Sequence, residues 1–137
     1  MTLEQVVGQL LWCGWGDVPE PDPRGYNEHA RFLIEDLGVG GIVLFTRNLG
    51  TPEEVAALAE TLRARAAVPP LIGIDQEGGR VSRMPLPGMV FPGNMALGLL
   101  DDPDRTRSVT RAIGEQLAAV GVDVDFAPSV DVNNNPR

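Results

Sequence analysis

Between positions 75 and 83 the chain reads Asp-Gln-Glu-Gly-Gly-Arg-Val-Ser-Arg, which places two carboxylates and two guanidinium groups on one short stretch. A carboxylate beside guanidinium groups can hold a polyol by bidentate hydrogen bonds, or can pair internally and shape a loop. Both roles stay open for Asp75 and Arg83, whereas Glu77 and Arg80 are expected to form an internal pair. Asp75 and Glu77 also have the side chains that glycosidic-bond cleavage requires. If the stretch stayed extended, their Cα atoms would lie roughly 6–7 Å apart on one face. An acid and a nucleophile must flank the scissile bond from opposite sides. Two carboxylates on one loop are poorly placed for that, so neither is assigned a catalytic role.

Other chemistries lack their residues. There is no Gly-x-Ser-x-Gly elbow, no phosphate-binding Gly-x-x-x-x-Gly-Lys and no His/Cys metal spacing, so no metal or cofactor is expected. The glycines at 38, 40 and 41 precede an apolar run, the wrong context for a dinucleotide fingerprint. His29, the sole histidine, falls in the first turn of an expected surface helix. Cys13 lies in the apolar run Leu10-Leu11-Trp12 and reads as an inert thiol.

The elements that carry these residues alternate between helical and extended periodicity. After a turn-rich segment holding Pro19, Pro21 and Pro23, Asn27 caps a helix whose apolar stripe is Ala30, Leu33, Ile34 and Leu37. Gly38 stops it, and residues 41–45 form a strand apolar on both faces, as a helix-covered parallel sheet requires. Thr51-Pro52-Glu53-Glu54 predicts a capping box with proline in the first turn, followed by a stripe of Val55, Leu58, Ala59, Leu62 and Ala66. Pro69-Pro70 ends that unit before the strand 71–74. Asp102-Pro103 opens a third helix with Val109, Ala112, Ile113, Leu117 and Val120 on its buried face, Gly121 closes it, and residues 122–126 form the next strand. An earlier strand is expected within residues 9–13.

Alternating strands and helices with short connections imply right-handed crossovers and a parallel α/β sheet. An open doubly wound sheet and a (β/α)₈ barrel both satisfy that pattern. A barrel needs about 250 residues, so 137 residues supply about half of one. In either architecture function belongs at the C-terminal ends of the strands. Polar residues gather there three times: Thr46-Arg47-Asn48, the 75–80 stretch, and Asp131 with Asn133, Asn134 and Asn135. The connection from Asp75 to Leu100 is long for a βα loop, Gly78-Gly79 permits a sharp turn, and Pro85, Pro87 and Pro92 stiffen it.

Composition narrows the partners. Eleven basic against nineteen acidic residues give a net charge of -8, which argues against nucleic acid and anionic membrane surfaces. No run approaches the ~18 apolar residues of a membrane span. The first residues lack a basic stretch followed by a long apolar one, so a cytoplasmic location is the default expectation.

The segments GGIVLFTRNL (40–49), PPLIGIDQEGGRVSRM (69–84), FPGNMALG (91–98) and GVDVDFAPSVDVNNNP (121–136) resemble the N-terminal barrel domain of glycoside hydrolase family 3. The resemblance is to its β-N-acetylglucosaminidase branch, the peptidoglycan-recycling enzymes. It implies a (β/α)₈ barrel, with residues 1–137 forming the N-terminal portion of the catalytic domain and roughly the first half of the barrel. It further implies that Asp75 hydrogen-bonds hydroxyls of the non-reducing sugar and that Arg83 contacts the same substrate. The family's His–Asp acid/base dyad and Asp nucleophile have no counterpart in these residues, so the retaining mechanism is assigned to none of them. The activity implied is a β-N-acetylhexosaminidase acting on N-acetylglucosamine-containing glycans. A β-glucoside or xyloside substrate within the family, or a non-catalytic sugar- or partner-binding role, are the alternatives. Half a barrel exposes two edge strands and an apolar interior, so a polypeptide of these residues alone is expected to be marginal, oligomeric or aggregation-prone, and inactive for want of those catalytic groups.

Overall fold

The computed structural model describes residues 1–16, 23–84, 90–131 and 134. The prolines at 19, 21, 85, 87 and 136 and the asparagines at 133 and 135 lie outside the described residues. Four parallel strands pair in the order β1 (Trp12–Cys13), β2 (Gly41–Leu44), β3 (Leu71–Ile74) and β4 (Val124–Asp125). Sequential parallel neighbours joined through helices are the topology expected of a βα series. The β4 pairing extends beyond its two assigned residues: Asp123 N donates to Ile72 O and Phe126 N to Ile74 O, both at 2.8 Å.

The helices begin where their caps predict. Asn27 Oδ1 accepts from Ala30 N at 2.9 Å and starts α2 (Glu28–Arg31). Thr51 and Glu54 exchange hydrogen bonds at the start of α3 (Pro52–Arg65), the expected capping box with Pro52 in the first turn. Asp102 Oδ1 accepts from Asp104 N and Arg105 N at the start of α5 (Pro103–Ala119). Each such cap is worth about 0.5–2 kcal/mol.

Three features differ from the expected elements. After α2 the chain widens into a π-helical turn over Phe32–Asp36, where Leu37 N bonds Phe32 O at 2.9 Å. The wider turn takes Leu37 off the stripe: Ala30, Leu33 and Ile34 are buried but Leu37 is exposed. Two short helices, α1 (Leu3–Gly8) and α4 (Asn94–Leu100), were not legible, and α4 shortens the 75–100 connection. Among the described residues no helix is long and apolar enough to cross a membrane.

The two faces of the sheet have different fates. Ile42, Leu44, Ile72 and Ile74 are fully buried in one cluster with Val55, Leu58 and Leu62 of α3 and Ile113 and Leu117 of α5. Truncating any of these to alanine costs about 2–5 kcal/mol. The other face carries Trp12, Leu71 and Phe126, all exposed by more than a third. On it the Trp12 and Phe126 rings meet edge to face, 5.5 Å apart, over glycines at 41 and 73. A Cβ at Gly73 would lie 2.7 Å from Phe126 and 2.8 Å from Trp12, so the aromatic pair requires glycine there. Cys13, at the end of β1, is half-buried against the core.

Candidate functional site

Asp75 is the first residue beyond β3 and continues the Leu71–Gly73 alternation toward the exposed sheet face. Its side chain is 27% exposed and that of Arg83 31%. Arg83 Nη2 donates to Asp75 Oδ2 at 3.4 Å, a long bond, and Arg83 Nε is buried without an acceptor among the described residues. Buried donors nearly always have partners. This guanidinium is thus held near Asp75 by a long bond, with its Nε shielded from solvent.

The loop between them is built around Gln76, which is 2% exposed. Its Oε1 accepts from Arg83 N at 2.6 Å and Met84 N at 3.1 Å, its Nε2 bonds Ser82 Oγ at 3.0 Å, and its backbone N donates to Asp125 Oδ1 at 2.9 Å. From residue types alone Gln76 is only one more polar group on the rim. Nothing local marks it, because its partners depend on the loop folding back and on β4 arriving from 49 positions away.

Gly78 and Gly79, at φ of +80° and +59°, make the turn that the sequence anticipated. A Cβ on Gly78 would sit 2.5 Å from Pro92 O, and Gly79 N donates to Phe91 O at 2.8 Å, so this turn packs directly on the 91–93 backbone. The expected Glu77–Arg80 pair does not form. Arg80 is exposed, and Glu77 instead lines a cleft of about 290 Å³ with Asn94, Thr110 and Asp125. Asp75 therefore contacts Arg83, while Glu77 lines a different cleft.

Two aspartates at either end of β4 play matching structural parts under opposite electrostatics. At the N-terminal end Asp123 Oδ2 accepts from Ile72 N at 2.8 Å and is neutralised by Arg63 Nη2 at 2.7 Å. At the C-terminal end Asp125 accepts from Gln76 N, yet burial, together with the nearby Asp75 and Glu77 charges, raises its carboxyl above the ordinary value. The Asp125 carboxyl therefore gives up its proton less readily than an ordinary aspartate does.

The polar residues after β2 serve a different purpose. Asn48, 1% exposed, donates to Pro23 O at 2.9 Å and Trp15 O at 3.3 Å and accepts from Phe45 N. Arg47 donates to Trp15 O at 2.8 Å and stacks over the Phe45 ring. These groups clasp the segment that follows β1. Asp131 and Asn134, of the third polar cluster, are exposed.

The glycosyl hydrolase family 3 N-terminal domain model matches residues 2–137. The chain belongs to glycosyl hydrolase family 3. It is 35% identical to a beta-hexosaminidase A of Pseudoalteromonas piscicida, covering all of this chain and 26% of that protein. With a beta-hexosaminidase of Thiobacillus denitrificans it shares 41% identity over 75% of this chain and 30% of that one. A solved family 3 β-N-acetylglucosaminidase from Paenibacillus sp. FPU-7 superposes with a TM-score of 0.90 at 44% identity, over 99% of this chain and 26% of that one. The chain thus spans about a quarter to a third of the length of these relatives. The family 3 neighbours are (β/α)₈ barrels, and this chain covers the first part of that domain. In a barrel, strand faces alternate between helices and interior, which accounts for the exposed Trp12–Leu71–Phe126 face.

Proposed function

We propose that residues 1–137 are the N-terminal portion of the catalytic barrel of a retaining β-N-acetylhexosaminidase, and that Asp75 and Arg83 bind its non-reducing sugar. The observation that carries this reading is the Asp75–Arg83 pair at the C-terminal end of a family 3 strand, with both charged side chains partly exposed. A carboxylate accepts from two hydroxyls while the guanidinium donates to a sugar oxygen, which orients the ring for attack at its anomeric carbon. The beta-hexosaminidase and β-N-acetylglucosaminidase relatives favour an N-acetylglucosamine-containing glycan over a glucoside or xyloside. Within that class, muropeptides of peptidoglycan recycling in the cytoplasm are the narrower substrate and setting.

The reacting groups lie outside residues 1–137. Asp75 is engaged with Arg83, and Glu77 lines a separate cleft with Asp125. The chain's part in the two-step mechanism is to bind and orient. Release of nitrophenol by the full-length protein from aryl N-acetyl-β-glucosaminide and from aryl β-glucoside tests the substrate class. A kcat/KM favouring the N-acetylated sugar by at least about a hundredfold is expected. Equal rates, or a preference for the glucoside, would contradict the assignment.

A further inference from the structure

We propose that Gln76 is the positioning residue of this site: a brace between Asp75 and Arg83, anchored on Asp125, that sets how the two groups present themselves to the sugar. The inference rests on the reading of Asp75 and Arg83 as the sugar-binding pair. The pair cannot set its own spacing, because its direct contact is a single bond of 3.4 Å between two partly exposed side chains. Gln76 can. Its Oε1 takes the Arg83 and Met84 amides at 2.6 and 3.1 Å, which brings the Arg83 backbone within one side-chain length of the residue next to Asp75.

The other end is equally fixed. The peptide unit joining Asp75 to Gln76 is planar. Holding the Gln76 N–H on Asp125 Oδ1 at 2.9 Å therefore also holds the Asp75 Cα from which that side chain projects. The Arg83 and Met84 N–H donors fix which end of the amide faces them, and the other end, Nε2, donates to Ser82 Oγ at 3.0 Å. Gln76 itself is buried and every polar atom of its side chain is used inside the loop, so it acts through its neighbours and does not touch the sugar.

The test is steady-state kinetics of the full-length protein on 4-nitrophenyl N-acetyl-β-glucosaminide. Gln76→Met keeps the length of the side chain and removes its acceptor and donor. It is expected to raise KM by about tenfold or more with kcat changed less than about threefold, because it disturbs binding and leaves the reacting groups alone. A purely structural role would lower the amount of active protein, and so the apparent kcat, at unchanged KM. Gln76→Glu retains the acceptor for the Arg83 and Met84 amides and is expected to fall between Gln76→Met and the parent. Ser82→Ala, an exposed change that folds regardless, is expected to raise KM severalfold. Asp75→Asn in parallel separates the two layers of inference. If it leaves KM unchanged, the reading of the site itself fails. If it raises KM while Gln76→Met, or Ser82→Ala where Gln76→Met does not fold, has the parent's KM, the brace is overturned and the site stands.

Discussion

The rims that follow β2 and β3 are equally polar, and each meets its fold with an arginine and an amide side chain, yet they are put to opposite use. After β2, Asn48 is buried with its amide bonded to Trp15, Pro23 and Phe45, and Arg47 is spent on Trp15 O and the Phe45 ring. After β3, Gln76 plays the part of Asn48, but Asp75 and Arg83 remain partly exposed and Arg83 Nε lacks an acceptor among the described residues. Polarity at the C-terminal end of a strand therefore does not identify a binding group. What separates the two rims is a carboxylate–guanidinium pair left partly exposed after β3.

That contrast is most exposed to test at its two centres. Asp75→Asn should cut kcat/KM by at least about a hundredfold, since hydrogen bonds to a charged group are worth about 1.5–3 kcal/mol each and two hydroxyls lose them. Its thermal unfolding should match the parent closely. Asn48→Ala should do the reverse. It strands buried backbone groups at about 1–3 kcal/mol each, so denaturant unfolding should show a loss of about 2–4 kcal/mol while the KM of the folded protein is unchanged. An Asn48 variant with a raised KM and parental stability would erase the distinction between the rims.

The smallest effect concerns charge at the β3 rim. The Asp125 carboxyl is raised mainly by burial, then by Asp75 and Glu77, against the opposing Gln76 hydrogen bond. The native state therefore holds this proton more tightly than the unfolded chain does. Stability from this group falls as pH rises from the ordinary carboxylate range through the raised value. Asp125→Asn keeps an oxygen for Gln76 N and removes the charge. Its Tm should exceed the parent's at neutral pH, and the two should converge in acid below the ordinary carboxylate range. Parallel Tm curves at all pH values would show that the Asp75–Glu77–Asp125 cluster carries no such strain.

Local chemistry made most of the scaffold legible. Asn27, Thr51 with Glu54, and Asp102 announced three helices through caps that need only neighbours along the chain. The apolar runs at 41–45 and 71–74 announced strands, the first ending one residue earlier at Leu44, that are buried on one face by helices and, on the other, share the Trp12–Phe126 layer. The Asp75–Arg83 pairing was also within reach, since both residues lie on one loop. What escaped depended on distance or on brevity. Helix α1 has fewer than two turns and exposes Leu3, Val6 and Val7, so it offers no buried stripe to read. The π-helical turn that displaces Leu37 leaves no signature in residue type. The parts of Asn48 and Asp125 rest on partners 25 to 49 positions away, and the misjudged Glu77–Arg80 pair failed because Glu77 turns toward helix α5 instead.

The division of labour in which residues 1–137 hold the sugar and other residues react with it is tested most directly by trapping the covalent intermediate. The full-length protein would be inactivated with a fluorinated N-acetylglucosamine analogue that forms but slowly loses the glycosyl–enzyme ester, then digested and mapped by mass spectrometry. The labelled carboxylate is expected on a peptide outside residues 1–137. A label on Asp75 or Glu77 would contradict this division and make the β3 rim the seat of the chemistry.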